Sequence, residues 1–199
     1  MKTIDYYFAP ISGYAYLGEM RMREVAATTG VRINYRPVEI GAVFAASNTT
    51  PPFKQVEARL KYREIDMARW AKRYGLPVNL KPKHWPAPDS LAISVIIATD
   101  VSERDAGAAA FALLKGVWAQ DRNVADESHV QAMLDEAGLP SADIMKLAAS
   151  PEIANLRSAY TQEAIARGVF GSPTYIVGDQ LFWGQDRLDF VAEALSQTH

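Results

Sequence analysis

The strand patterns of this chain lie at its two ends, and this separation limits the folds available to it. Near the N-terminus, Thr3–Phe8 and Val31–Val38 alternate apolar and polar residues, as half-buried strands do. Near the C-terminus, Thr174–Val177 and Gln180–Trp183 flank a Gly-Asp turn and predict a hairpin. Because a two-stranded sheet is only marginally stable in water, we expect the two pairs to join in one four-stranded mixed sheet.

The stretch between the two strand pairs carries helix signals instead. Apolar spacing or capping residues predict helices at 56–74, 90–101, 103–119, 128–137, 141–149 and 151–167. Two predicted loops, "AASNTTPPF" and "NLKPKHWPAPDS", interrupt this block. A helix also follows the first strand and ends at Gly30, and another spans Leu188–Leu195 with Asp186 as its cap. We therefore expect an α/β chain with a discontinuous sheet domain, residues 1–40 and 168–199, and a helical insertion domain at 41–167.

The composition excludes several kinds of chemistry and partner. The 199 residues include no cysteine, which excludes intrachain disulfides, thiolate metal sites and dithiol exchange. The formal net charge is −2 with no basic stripe, so we expect no nucleic-acid partner. The apolar runs are too short to span a bilayer, and the opening Met-Lys-Thr-Ile-Asp is unlike a signal peptide. We expect a cytoplasmic protein with no membrane partner and no metal site.

The segment "FAPISGYAYLG", residues 8–18, places Ser12 where the first strand gives way to a helix. One interpretation is a helix N-cap, a position that serine favours. The other is a binding group, because a helix N-terminus attracts anions and a hydroxyl adds one more donor. The two roles are compatible. A nucleophilic serine would need an adjacent base, but His84, His129 and His199 stand in no triad motif.

A second informative segment is "GVFGSPTYIVGDQLFWGQDRLDF", residues 168–190. Pro173 directly precedes a predicted strand, a position where no N–H group is needed for hydrogen bonds between strands. A cis Ser172–Pro173 bond would leave the backbone of Ser172 free to pair with a peptide-like ligand, and an ordinary trans bond is the alternative. Asp186 and Arg187 either hold a ligand's ammonium and carboxylate groups or form a cap and a surface ion pair.

The predicted insertion also offers polar side chains. Asn48 and Lys54 lie in the segment "SNTTPPFK". The following helix also carries charges, Arg59 and Arg63 among them, and most of its charges are typical of a solvated helix face.

Three segments together resemble the 2-hydroxychromene-2-carboxylate isomerase family. They are "SGYAYLG" at 12–18, "LKYREIDMARWAKRYGLP" at 60–77 and "GVFGSPTYIVGDQLFWGQDRL" at 168–188, and the match runs in order along nearly the whole chain. That family is related to kappa-class glutathione transferases and to the disulfide-oxidoreductase A group. The resemblance implies a thioredoxin-like fold with an inserted all-helical domain, and bound glutathione as cofactor.

The resemblance also implies roles for individual residues. Ser12 matches the family's catalytic serine, which donates a hydrogen bond to the glutathione sulfur and favours its thiolate. Ser172, beside Pro173, would pair its backbone with the cysteinyl unit of the tripeptide. The segment that would hold the γ-glutamyl end comprises Trp183, Gly184, Gln185 and Asp186. Asn48 and Lys54 would face the substrate.

The implied activity is cis–trans isomerisation of an aromatic or other unsaturated carboxylate by reversible thiolate addition. The alternatives are a kappa-like transferase that releases the conjugate and a non-catalytic binding protein on the same fold. The expected partners are glutathione and a small-molecule substrate, and relatives of this kind are often homodimers. The sequence departs from the family pattern at Gly13, usually proline, and at Ser172, usually apolar. Phe44 and Phe53 stand near the places where naphthalene-pathway members bind the substrate carboxylate with polar side chains.

Overall fold

The computed structural model describes residues 2–196, in which the four predicted strands form one sheet. The strands are β1 (Thr3–Phe8), β2 (Arg32–Pro37), β3 (Thr174–Val177) and β4 (Gln180–Trp183), in the spatial order β2-β1-β3-β4. β1 runs parallel to β2 and antiparallel to β3, and β3 pairs antiparallel with β4. The predicted mixed sheet is therefore confirmed. His199 and the outermost residues of the predicted sheet domain, 1 and 197–199, lie outside the described range.

The helices of the described residues pack around this sheet. They are α1 (Gly13–Thr29), α2 (Ile40–Ala46), α3 (Glu57–Tyr74), α4 (Ser90–Val101), α5 (Ala106–Gln120), α6 (Glu127–Glu136), α7 (Ser141–Ala148), α8 (Pro151–Ala166) and α9 (Leu188–Ser196). Two 3₁₀ turns occupy Pro52–Lys54 and Gln185–Arg187. The elements from α2 to α8 all lie between β2 and β3 in chain order, and the division of the chain into domains at 41 and 167 stays a prediction. Within residues 2–196, no helix combines the length and apolar character needed to cross a membrane.

Helix α2 is an element that the sequence patterns did not predict. The loop predicted at "AASNTTPPF" overlaps its last two residues. Val43 is fully buried and packs with Ile40 in a cluster that includes Ala164 of α8. The helix therefore depends on tertiary packing, which a local pattern does not contain.

One predicted helix start and one predicted helix cap are wrong. The helix predicted from residue 103 begins at Ala106, because the carboxylate of Asp105 accepts a hydrogen bond from the Ala108 N–H group at 2.9 Å. Glu103 itself has a positive φ of 56°, outside helical geometry. Near the C-terminus, Asp186 does not cap the last helix directly. It lies within the second 3₁₀ turn, while α9 begins at Leu188, as predicted.

An aromatic stack fills the core between the sheet and α1. The Tyr6 ring lies 4.3 Å from that of Phe8 and 5.3 Å from that of Tyr175, with Tyr35 edge-on at 5.7 Å. All four rings are buried. The stack anchors β1, which leads directly into the loop before Ser12.

Candidate active site

Ser12 is the N-cap of α1 and also contacts the segment that precedes β3. Its Oγ accepts a hydrogen bond from the Ala15 N–H group at 3.2 Å, which confirms the N-cap interpretation. The same hydroxyl donates to the carbonyl oxygen of Ser172 at 3.2 Å. The start of a helix carries unpaired N–H groups and partial positive charge. The Ser12 hydroxyl therefore lies where an anion is stabilised.

Ser172, which lies shortly before β3, contacts the backbone at the end of β1. The Ser172–Pro173 peptide bond is cis. The Ser172 Oγ accepts a hydrogen bond from the Ala9 N–H group at 3.0 Å, and the Pro173 carbonyl accepts one from Gly184 at 2.9 Å. A hydroxyl thus pairs the Ala9 N–H group, which explains a polar residue at position 172.

Two tryptophans from the helical block fix the residue before Ser12. The indole Nε1–H groups of Trp85 and Trp118 both donate to the carbonyl oxygen of Ile11, at 2.9 Å and 3.2 Å. The two ring centroids lie 5.6 Å apart. Because both lone pairs of this carbonyl can be used, the turn that presents Ser12 is held by the helical block.

Gly13 stands where the family pattern that the sequence resembles usually has proline. A Cβ at this position would overlap the terminal methyl of Met67 and lie 3.0 Å from the Trp118 ring. The glycine therefore allows α3 and α5 to approach the first turn of α1 closely.

A cavity of about 1120 Å³ opens beside Ser12 and Ser172. Much of its wall is aromatic: Tyr14, Phe44, Phe53, Tyr62, Trp85, Phe170 and Trp183. Lys54, Arg59 and Arg63 also line it, and within residues 2–196 no aspartate or glutamate does. This combination of rings and cations suits an anionic ligand with apolar parts.

The structure places the predicted binding residues unequally. Ser12, Ser172, Trp183 and Lys54 all line the cavity. Asn48 does not. It is exposed just beyond α2, with a positive φ of 53°.

The predicted γ-glutamyl segment is divided between surface and interior. Gly184 has a φ of 107°, which favours glycine. Gln185 is buried, and its Oε1 accepts a hydrogen bond from the Tyr74 hydroxyl at 3.0 Å. Asp186 is exposed and pairs with Arg187 at 3.5 Å. Of the side chains in this segment, the Trp183 ring and the Asp186 carboxylate are therefore available to a ligand.

Arg63 is an exception to the predicted solvated helix face. Its guanidinium carbon lies 4.8 Å from the Trp85 ring centroid, 5.1 Å from that of Trp118 and 5.8 Å from that of Tyr14. Burial against these rings lowers the pKa of the guanidinium. The helical spacing contained the signal, since Arg63 precedes the buried Met67 by four residues and shares its face.

The two described histidines stand apart from Ser12. His84 and His129 lie edge to face with centroids 6.4 Å apart, and neither lines the cavity. His129 Nδ1 accepts a hydrogen bond from the Asn123 N–H group at 3.1 Å. Over residues 2–196, no cluster of three or more histidine, aspartate or glutamate side chains is placed to hold a metal ion.

Comparison with known proteins gives full-length matches. The family model for the DSBA-like thioredoxin domain matches residues 3–196. The 2-hydroxychromene-2-carboxylate isomerase of Sphingobium xenophagum is 34% identical over 98% of both chains. A solved structure of 2-hydroxychromene-2-carboxylate isomerase superposes with a TM-score of 0.85 at 25% identity, covering 97% of this chain and 94% of that one. Glutathione S-transferase kappa 1 of Caenorhabditis elegans is 23% identical over 99% of this chain and 92% of its own.

Proposed function

The chain belongs to the DSBA-like thioredoxin domain family and, within it, to the 2-hydroxychromene-2-carboxylate isomerases, and from this premise we propose that it is a glutathione-dependent cis–trans isomerase. The thioredoxin-like fold expected from the resemblance is confirmed. The relatives' names support an isomerase. One observation carries the proposal of glutathione dependence. The Ser12 hydroxyl caps α1 beside a cavity that no aspartate or glutamate of residues 2–196 lines, in a chain that has no thiol of its own.

The site has the chemistry that a thiol tripeptide requires. When bound, glutathione supplies a thiolate that adds reversibly to an unsaturated carbonyl compound. The positive end of α1 favours a negative sulfur at Ser12. The cations in the wall would favour the tripeptide's carboxylates, and the kinship with a kappa-class glutathione transferase supports the same ligand.

Ser12 can serve a sulfur anion without losing its role as a cap. Its hydroxyl proton is directed to the Ser172 carbonyl at 3.2 Å, which is long for an O–H···O hydrogen bond. A thiolate is a charged acceptor and forms a stronger hydrogen bond than a neutral carbonyl. The proton would therefore turn to the sulfur, while the Oγ still accepts from the Ala15 N–H group.

The remaining contacts with the tripeptide are proposed as follows. The backbone of Ser172, released from the Ser12 hydroxyl, would pair with the cysteinyl unit beside Pro173. Three further contributors to the γ-glutamyl end would be Trp183, Gly184 and Asp186. Gln185 would contribute through its backbone, because its side chain is buried against Tyr74.

The substrate would occupy the part of the cavity nearest the helical block. Lys54 remains a candidate for binding it, since it lines that wall. Asn48 remains a prediction of the family resemblance alone, since its position is apart from the wall. A homodimer and a cytoplasmic location likewise remain predictions.

The proposal is tested by turnover of 2-hydroxychromene-2-carboxylate with glutathione. Ser12→Ala should lower kcat on the order of a hundredfold, the typical cost of removing one donor to a reacting anion. Ser12→Thr, which keeps a hydroxyl and a cap, should retain more activity. Ser158→Ala, on the exposed surface of α8, is the control.

Product mass separates the candidate activities. An isomer of unchanged mass supports isomerisation, whereas a stable product heavier by one glutathione supports the kappa-like transferase. Unchanged turnover in the Ser12→Ala variant, or turnover without glutathione, would contradict the proposal.

A further inference from the structure

The positively charged side chains in the cavity wall differ in their exposure to solvent. Lys54 and Arg59 are exposed at its surface. Arg63 is partly buried and lies over the faces of Trp85, Trp118 and Tyr14. A cation that is partly removed from water interacts more strongly with a ligand than an exposed one, because less solvent screens it. Arg63 is therefore the cation with the greatest influence on what binds.

No carboxylate of the described residues neutralises Arg63 through a salt bridge. The two acidic side chains nearest in sequence contact other groups, and of the two only the charge of Glu64 acts on Arg63, at a distance beyond that of a salt bridge. The Asp66 carboxylate accepts a hydrogen bond from the Tyr14 hydroxyl at 2.9 Å, and that of Glu64 lies 3.9 Å from the Lys81 ammonium. Contacts with ring faces offset only part of the cost of desolvating a charge. An anion entering the cavity would provide the missing partner.

The guanidinium group determines which anion suits it. An arginine stacked on rings keeps its edge N–H groups for an acceptor in its own plane, and a carboxylate matches them with two parallel hydrogen bonds. The surrounding rings favour a ligand with an aromatic body.

Arg63 and Ser12 belong to one contiguous part of the wall. The same two indoles that support the Arg63 guanidinium donate to the Ile11 carbonyl, directly before Ser12. A small aromatic acid held by Arg63 would therefore present its unsaturated carbons toward the serine side of the cavity.

We propose that Arg63 binds the carboxylate of the aromatic substrate and determines the preference of the cavity for acids over neutral analogues. This inference rests on the proposed function for the identity of the substrate site. It assigns carboxylate recognition to Arg63 of α3, which the family resemblance did not indicate. Lys54 remains a second candidate for contact with the substrate.

Binding of cinnamate and of cinnamamide tests the assignment without turnover and without glutathione. The two probes share an aryl ring and a double bond and differ in charge. Calorimetry should show that the unaltered protein prefers cinnamate by roughly tenfold or more, as expected for a charge-assisted pair. Arg63→Met should abolish that preference. Arg69→Met, an exposed arginine of the same helix, should leave it intact.

The charge-conserving variant Arg63→Lys keeps a cation but loses the planar fork, so it should retain only part of the preference. If Arg63→Met fails to fold in a thermal melt, Arg63→Lys carries the test. A preference for cinnamate that persists in the folded Arg63 variants would overturn the assignment, as would its absence from the unaltered protein. The assignment would also be overturned if the Arg63 variants bound glutathione more weakly but kept the preference for cinnamate, because Arg63 would then bind the tripeptide. Because the probes bind without glutathione, this outcome is independent of whether the proposed isomerase activity is found.

Discussion

Glu19 is a carboxylic acid in the middle of the aromatic core, and its burial makes a quantitative prediction. The residue is fully buried on α1, and its Oε1 accepts a hydrogen bond from the Tyr35 hydroxyl at 3.0 Å. Its Oε2 has no hydrogen-bond partner among the described residues. Desolvation raises the pKa of Glu19 from 4.5 to about 7, although the bond from Tyr35 lowers it in part.

The shifted pKa makes folding favour the protonated acid. In the unfolded chain Glu19 releases its proton near pH 4.5, while the folded protein keeps it to about pH 7. The contribution of Glu19 to the free energy of unfolding should therefore be greatest below pH 4.5 and should fall as the pH rises from 4.5 to 7. At about 1.4 kcal/mol for each tenfold change in proton affinity, the loss amounts to about 3 kcal/mol.

Urea unfolding of the Glu19→Gln variant between pH 4 and pH 8 isolates this contribution. The free energy of unfolding of the variant, relative to the unaltered protein, should rise by about 3 kcal/mol between pH 4.5 and pH 8. Other titrating groups are common to both proteins and cancel in the difference. Glu24→Gln, on the exposed face of α1, should give a difference that is nearly constant with pH. If the difference in the free energy of unfolding between Glu19→Gln and the unaltered protein did not change with pH, the pKa of Glu19 would not be raised by folding.

Two further predictions concern the packing at Gly18 and the helix cap at Asp105. A Cβ on Gly18 would lie 2.7 Å from the Cβ of Gln185 and 3.0 Å from the Tyr175 hydroxyl, so Gly18→Ala should lower the free energy of unfolding by about 1–3 kcal/mol. Gly41→Ala, in open space on α2, is the matched control, and equal stability of the two variants would contradict the argument. Asp105→Ala removes the cap of α5 and should cost about 1 kcal/mol in a denaturant titration, while Asp105→Asn should recover part of it. Equal losses in the two Asp105 variants would argue against the cap.

Local patterns were sufficient to predict the sheet but not every helix. The four strands alternate or carry β-branched and aromatic residues beside turn signals, and each such signal lies within a few residues. Helix α2 has no comparable pattern, because its stability comes from Val43 packing against α8. Boundaries such as that at Asp105 depend on which of several polar residues becomes the cap.

The candidate site was predictable where its residues lie at element ends. Ser12 and Ser172 stand at a strand-to-helix turn and before a strand, positions with recognisable chemistry. The contact of Trp85 and Trp118 with Ile11 joins segments more than seventy residues apart, so no local pattern could indicate it. Arg63 was misplaced because charge alone predicts exposure, whereas its helical spacing from Met67 predicts the buried face.

The proposed function requires that the glutathione sulfur lies at the Ser12 hydroxyl as its thiolate. Thiolate absorbance of bound glutathione, titrated against pH, tests this directly in the unaltered protein and in Ser12→Ala. We expect the thiol pKa in the complex to lie well below its free value of about 8.5, and to be lowered less in the variant. A bound thiol whose pKa equals the free value, or is lowered equally in both proteins, would contradict it.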